Sequence, residues 1–283
     1  MSRVEPIAEF SHDHVTVMEP REGWLLLDVR ELWAYRELFW VLTRRDLKVR
    51  YRQAVLGVAW AVLRPALTML IFTVVFGQLV GVPSEGYPYA VFVFAGLLPW
   101  TFFAGSVMSG GTSLVASSNL VSKVYFPRLL IPLAAVGVGL ADLLISTVLL
   151  LGLMVAYGVP WTAHLFAAPF VIMALVFTAV AVGTLLSALT VAYRDFSLLT
   201  PFLLQVWMYV TPVIYPASLV PEKWRWLVHL NPMSGMVEAM RATFLGKPFD
   251  LGALAISLGA SFAVFVVAVA YFARVERRFA DII

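Results

Sequence analysis

Six stretches of this chain, about residues 54–80, 89–107, 129–157, 166–192, 198–215 and 251–273, run almost without charge. Backbone N–H and C=O groups inside hydrocarbon have no water to bond, so such stretches must form helices or a closed barrel. No alternating ten-residue strand pattern appears, which leaves helices. Most of the six are long enough to cross a ~30 Å hydrocarbon core at ~1.5 Å per residue. With 61% apolar and only 13% charged residues, too little polar surface remains to cover a soluble globule. At 283 residues there is no room for a large soluble domain besides the spans. The expected fold is therefore an all-α integral membrane protein with six transmembrane helices. Arg64-Pro65 near the start of the first stretch points to a kink or a shallow start. The fifth stretch is short and carries Pro201 and Pro212.

Residues 1–29 read as a polar cytosolic tail, with His12-Asp13-His14 as solvated side chains rather than a metal site. No metal site is expected elsewhere, and the absence of Cys removes thiolate ligands, disulfides and cysteine nucleophiles. Residues 1–30 hold no 7–15-residue apolar run of the signal-peptide type, so targeting is expected to come from the first span. Residues 30–52 form an amphipathic pattern. Leu32, Tyr35, Leu38, Phe39, Leu42 and Leu47 share a broad face with Trp33 and Trp40, opposite Arg30, Glu37, Arg44, Arg45, Lys48 and Arg52. Such a helix suits the membrane interface and anionic lipid.

Lys and Arg set the orientation. Arg44 to Arg52, then Lys123 and Arg128, Arg194, and Arg274 to Arg278 fall on one side, whereas loops 81–88 and 158–165 carry none. The positive-inside rule then puts both termini in the cytosol. The loop at 216–250 contains a helix of its own. Asn231 stands at an N-cap with Pro232 at the first helical position, Met233 to Leu245 follow as an apolar stripe, and Gly246 stands where a C′ glycine belongs. Ahead of it, Trp224, Trp226 and Leu227 suggest another short piece. Too short to span, these pieces read as re-entrant or interfacial helices forming a candidate outer gate. Glu238 and Arg241, three apart, are expected to form a solvated pair. Asp142 lies about 13 residues into its span, where a charge is costly, and should face a bundle interior, a dimer interface or a water-filled path. Arg64 is a candidate partner for it, and snorkelling to the cytosolic interface is the plainer reading of that arginine.

The run from Arg50 to Trp60, with Pro65 shortly after, resembles the start of span one in type-2 ABC exporter permeases, most closely the branch that exports O-antigen, capsule or teichoic acid chains. Leu120 to Pro132 resembles that family's cytosolic coupling segment, Tyr193-Arg194-Asp195 its loop between spans four and five, and Thr211 to Tyr215 with Leu230-Asn231-Pro232 its outer-gate region. The resemblance covers roughly residues 30–283, in order. It implies a homodimeric permease that moves a lipid-linked glycan across the bacterial cytoplasmic membrane, driven by two cytosolic ABC ATPase subunits that bind ATP and Mg. It also implies that Lys123, Val124, Tyr125, Phe126, Pro127, Arg128, Arg194 and Asp195 meet the ATPase, with Tyr125, Phe126 and Arg128 as the foremost contacts. A sliding glycan needs aromatic surfaces, and Trp100, Phe102, Phe103, Trp207, Tyr209 and Tyr215, with Asp142, are candidates for its path, although an interfacial aromatic belt explains Trp and Tyr equally.

The chain itself is not expected to be an enzyme or to bind a cofactor. A P-loop needs G-x-x-x-x-G-K-[ST], and the one Gly-Lys pair, Gly246-Lys247, is followed by Pro248. Two other functions compete: a type-2 ABC permease for a drug or small amphiphile, and a membrane-embedded glycosyl or phosphatidyl transferase. The latter needs clustered carboxylates or His, and the spans hold Asp142 and no His. No nucleic-acid partner is expected.

Overall fold

The computed structural model describes residues 29–52 and 59–276. The readings made on residues 1–28, on 53–58 and on Arg277 and Arg278 lie outside the described residues. Every regular element among the described residues is helical. Helices α1 (Val29–Ala34) and α2 (Arg36–Arg52) lead to α3 (Ala59–Phe72), which continues as a π-helical stretch, Thr73–Leu79. Then come α4 (Tyr89–Ala116), α5 (Ser118–Lys123), α6 (Leu130–Ala156), a 3₁₀ turn (Ala163–Ala167) running into α7 (Ala168–Ala192), and α8 (Phe196–Val210). The chain closes with α9 (Glu222–Leu230), α10 (Pro232–Leu245) and α11 (Leu251–Glu276). Five helices are long and apolar enough to cross a membrane: Ala59–Leu79, α4, α6, Ala163–Ala192 and α11. The sixth apolar helix, α8, has 15 residues and reaches only ~22 Å, short of a ~30 Å core. The protein is an all-α, multi-pass membrane protein.

Helix α4 is the axis of the molecule. It packs against α3, α6, α7, α8 and α10, and 78% of its most apolar window is buried, against 6% for Ala59–Leu79. The sequence places the end of this span near residue 107, but the helix runs on to Ala116. Gly110 and Gly111 do not stop it because they are buried against neighbouring helices. A Cβ on Gly110 would stand 3.6 Å from the Cα of Gly183 in α7, so small residues bring the two backbones together. Glycine here serves close packing rather than helix termination.

A second apolar cluster closes the arginine-rich side, hereafter the basic side. Leu114, Val121, Phe126, Leu129 to Ile131, Val191, Phe272 and Val275 pack together, with Leu32, Tyr35, Leu38 and Phe39 laid over them. The expected amphipathic helix therefore turns its apolar face onto the protein. It packs along α6, where a Cβ on Gly137 would meet Thr43 Oγ1 at 3.1 Å. Trp33 and Trp40 remain exposed on its outer flank.

On the far side, α10 is held close to α11. A Cβ on Gly235 would lie 2.6 Å from the Ala253 carbonyl oxygen and 2.6 Å from Ser257 Oγ, while a Cβ on Gly259 meets nothing within 4 Å. Gly235→Ala should destabilise the protein by about 1–3 kcal/mol through overpacking, whereas Gly259→Ala should be neutral or stabilising. Thermal unfolding of the two variants in the same detergent checks the contrast.

Candidate functional site

Three regions carry the polar chemistry. On the basic side, α5 ends at Lys123 and the chain turns extended at Val124. Lys123, Val124 and Tyr125 are exposed, and Arg194 and Asp195 are exposed in the turn between α7 and α8. Phe126 is different: its side chain is 3% exposed and sits inside the basic-side cluster. The joint Tyr125–Phe126 contact expected from sequence is thus split, because the helix start at Leu130 turns Phe126 inward. Pro127 is half-buried, and Arg128 donates from Nη1 to the Glu276 carbonyl at 2.7 Å, tying this segment to the end of α11.

The second region surrounds Asp142. Arg50 Nη1 donates to Asp142 Oδ2 at 2.6 Å and Nη2 to Ser109 Oγ at 3.3 Å, while the Tyr51 hydroxyl donates to Asp142 Oδ1. The partner of Asp142 is thus Arg50 from the amphipathic helix rather than Arg64. These groups line a cavity of about 620 Å³ between the end of α2, α3, α4 and α6, which Arg64 and Phe102 also line. Ser109 lies ~30 Å along α4 from Tyr89, a full hydrocarbon thickness from the far end. With Tyr89 taken as the far boundary, the Arg50–Asp142 pair stands near the basic-side boundary of a ~30 Å core.

The third region is on the far side, where α8 stops at Val210 and Thr211 to Ile214 continue as buried, non-helical backbone. Arg241, expected in a solvated pair, is 0% exposed. Its Nη1 donates to the carbonyls of Pro212 (2.7 Å) and Tyr215 (3.3 Å) and to Glu238 Oε1 (2.8 Å), and its Nη2 to the Val213 carbonyl (2.6 Å). The guanidinium lies 3.9 Å over the Phe92 ring. A Cβ on Gly96 would stand 2.7 Å from the Val213 carbonyl oxygen and 2.8 Å from Arg241 Nη2, so glycine leaves the room that this fork needs.

Asn231 ties the same region together. Its Oδ1 accepts the Met233 N–H at 3.0 Å, the expected N-cap, and also Trp207 Nε1 at 2.8 Å. Its Nδ2 donates to Thr211 Oγ1 at 2.9 Å, and its carbonyl accepts from Ser257 Oγ at 3.1 Å. Pro232 opens α10 behind it, and Gly246 ends the helix in the left-handed region at φ 71°. Trp207 in turn meets Phe103 edge-on at 5.2 Å and Trp100 at 6.5 Å. Trp100, Phe102 and Phe103 are buried, Tyr209 is exposed on α8, and Tyr215 donates back to the Tyr209 carbonyl at 3.1 Å. The six aromatics proposed for a path therefore do not form one surface: Trp100, Phe103 and Trp207 bind α8 to α4, and Phe102 faces the Asp142 cavity. Trp224 and Trp226 are exposed on α9.

One further clasp carries no sequence signature. Glu85, at φ 54° in the loop before α4, accepts from Lys247 and from Ser218 Oγ (2.9 Å). Lys247 Nζ also lies 5.0 Å over Phe92. Burial raises the Glu85 pKa, but the Lys247 and Ser218 hydrogen bonds and the Lys247 charge outweigh it and leave the carboxyl below its ordinary 4.5. Among the described residues no group of three His, Asp or Glu is placed to hold a metal.

Residues 37–245 match the ABC-2 type transporter family. The chain belongs to the ABC-2 type transporter family. Among curated proteins it is 34% identical over 218 residues to the O-antigen export system permease protein RfbA of Myxococcus xanthus, covering 76% of this chain and 83% of that protein. It is 28% identical over 248 residues to the RfbA of Klebsiella pneumoniae, covering 87% and 95%. The inner membrane transport permease YadH of Escherichia coli K12 is 30% identical over 198 residues, covering 64% and 74%. The matched family region takes in the basic-side segment, the Asp142 cavity and the Arg241 fork together.

Arg241→Met should lower stability by about 3–5 kcal/mol, because it strands Glu238 and three buried carbonyls. Arg241→Lys should recover little, since an ammonium lacks the planar fork. Unfolding midpoints in detergent check both. Glu85 has a lowered folded pKa, so its contribution is complete above about 4.5, the unfolded value, and is lost as pH falls through the folded value. An acid unfolding series should show that loss in the wild type, and Glu85→Gln should flatten it.

Proposed function

We propose that this chain is the permease subunit of an ATP-driven exporter that moves a lipid-linked polysaccharide across the bacterial cytoplasmic membrane. The observation that carries the reading is the extent of the match to the two O-antigen export permeases, 76% and 87% of this chain, against 64% for the inner membrane transport permease YadH. Two copies form the permease, and two cytosolic ATPase subunits, which hold ATP and Mg, dock on the basic side. Both termini lie in the cytosol on this reading, as the Lys and Arg distribution favours. The chain is a conduit, and hydrolysis belongs to its partner.

Surface chemistry supports the homodimer. Among the apolar helices, α3 and α8 are the least covered, and Gln205 is exposed on α8. Polar groups facing hydrocarbon are unfavourable, whereas a second copy or a watered path between copies accommodates them. For coupling, the exposed pair Val124 and Tyr125 and the charge of Lys123 form the contact, with Arg194 and Asp195 beside them. Phe126, Pro127 and Arg128 brace that surface from behind. Closure of the ATPase then moves α5 and the Arg128–α11 link as one body.

Tyr125→Asp should uncouple hydrolysis from export at wild-type yield of the complex, seen as ATPase activity without surface glycan. Phe126→Asp should instead lower the yield of the chain itself, since it buries an unpaired charge. Surface-glycan immunoblots beside ATPase rates of the purified complex check both, and normal export by Tyr125→Asp would count against the docking surface. Accumulation of cytosolic lipid-linked glycan on deletion of this chain tests the export reading as a whole.

A further inference from the structure

We infer that the loop before α4, residues 81–88, is a latch that holds the far side of the permease closed and must let go for transport. Its tip is a tight turn. The Tyr87 N–H donates to the Ser84 carbonyl at 3.1 Å, and the two residues between them, Glu85 and Gly86, both stand at positive φ, 54° and 89°. Glycine takes that backbone freely, but glutamate takes it at a cost, so Glu85 stays there only while contacts outside the turn hold it. Those contacts are the hydrogen bond from Ser218 Oγ at 2.9 Å and the ion pair with Lys247. Two tyrosines add to them. The Tyr87 hydroxyl donates to the Leu245 carbonyl at 2.7 Å, and the Tyr89 hydroxyl, in the first turn of α4, to the Ile214 carbonyl at 2.9 Å. The loop and the start of α4 thus grip the chain ahead of α9, at Ile214 and Ser218, and the chain at the end of α10, at Leu245 and Lys247.

What the loop joins makes it a latch rather than a brace. At its other end the Val82 N–H donates to the Phe76 carbonyl at 2.8 Å, in the π-helical stretch that continues α3. Ala59–Leu79 is the least buried of the five spans, so the loop carries much of what holds its far end. It ties that span to the segment after α8, and α3 and α8 are the two helices left open for a second copy or a path between copies. A path that opens there on the far side requires the two to part. The strength of the contact suits this task. The Glu85 and Lys247 side chains keep 34% and 14% exposure, so water can solvate the ions once they separate, and the pair can break and remake. A pair sealed from water would stay shut. Lys247 Nζ lies 5.0 Å over Phe92, so the ammonium keeps its seat on that ring after the carboxylate leaves. The turn at Glu85 is free to relax on release.

The latch rests on the export reading, since a far-side opening matters only to a chain that passes something through, and its first test needs no export. The chain has no Cys. In the full-length chain with its partner ATPase in nanodiscs, Ile214→Cys places a lone thiol at a buried position beside the loop, and its labelling by a water-soluble maleimide follows the open population. Glu85→Gln should speed that labelling about threefold to tenfold, the loss of a charge-assisted bond discounted for its partial exposure. The exchange of Glu85→Lys with Lys247→Glu should return labelling toward the wild-type rate, a rescue that a misfolded variant does not show. An unchanged rate in Glu85→Gln would overturn the latch. A second arm closes the loop covalently. In cells, Glu85→Cys with Ser218→Cys is joined by a short bismaleimide whose linker contains a disulfide. Surface glycan should be made before joining, stop after it and resume when a reducing agent cleaves the linker. Export that continues through the joined chain refutes the latch and leaves the export reading standing. Labelling that depends on Glu85, in a chain whose deletion leaves surface glycan intact, sustains the latch and refutes the glycan.

Discussion

A single buried guanidinium allows this chain to break a helix at membrane depth. Backbone that leaves the helical ladder inside a membrane must find donors and acceptors elsewhere or lose several kcal/mol per group. Helix α8 ends after 15 residues, and the next carbonyls, at Pro212, Val213 and Tyr215, all accept from Arg241. Glu238 and the face of Phe92 balance the charge, and Gly96 supplies the space. Asn231 does the same for the start of α10, meeting the end of α8 through Trp207 and Thr211. Without these two side chains the buried carbonyls after α8 and the first turn of α10 would lose their hydrogen-bond partners.

From that anchor the rest of the mechanics follows. Helix α4 begins under the Arg241 fork at Phe92 and Gly96 and ends beside α5 on the basic side. It is packed along its whole length and close to α7 at Gly110 and Gly183, so it transmits displacement rather than absorbing it. On the proposed coupling, movement imposed at Val124 and Tyr125 would have a stiff route to the far-side clasp, where Glu85 holds the loop before α4 to Ser218 after α8 and to Lys247 after α10. The Asp142 cavity opens off the same axis through Phe102 and Ser109.

Much of this was legible in the sequence, for reasons that are local. Long charge-poor runs without strand alternation read as membrane-crossing helices, and Asn231-Pro232 with Gly246 mark a helix by chemistry acting within a few residues. The buried state of Arg241 was not legible, because its acceptors are backbone carbonyls 26 to 29 residues away with no side-chain signature. One clue existed: Arg241 follows Val237 by four residues and precedes Phe244 by three, on the face of α10 that is otherwise apolar. The Arg50–Asp142 pair spans 92 residues and could be narrowed only to a charge in need of a partner. The burial of Phe126 carries no sequence signature, because an aromatic beside an exposed tyrosine gives no sign of which way the turn before Leu130 points it.

The central claim is that α8, although short, together with the fold-back pinned by Arg241, carries the chain from one side of the membrane to the other. The chain has no Cys, so single cysteines can be introduced without background. Their labelling with a membrane-impermeant maleimide in intact cells and in inverted vesicles tests that claim directly. Cysteines at Tyr125 and Asp195 should label only from the cytosolic face, and cysteines at Ser218 and Glu222 only from the outside. Labelling of Asp195 and Glu222 from the same face would contradict the account.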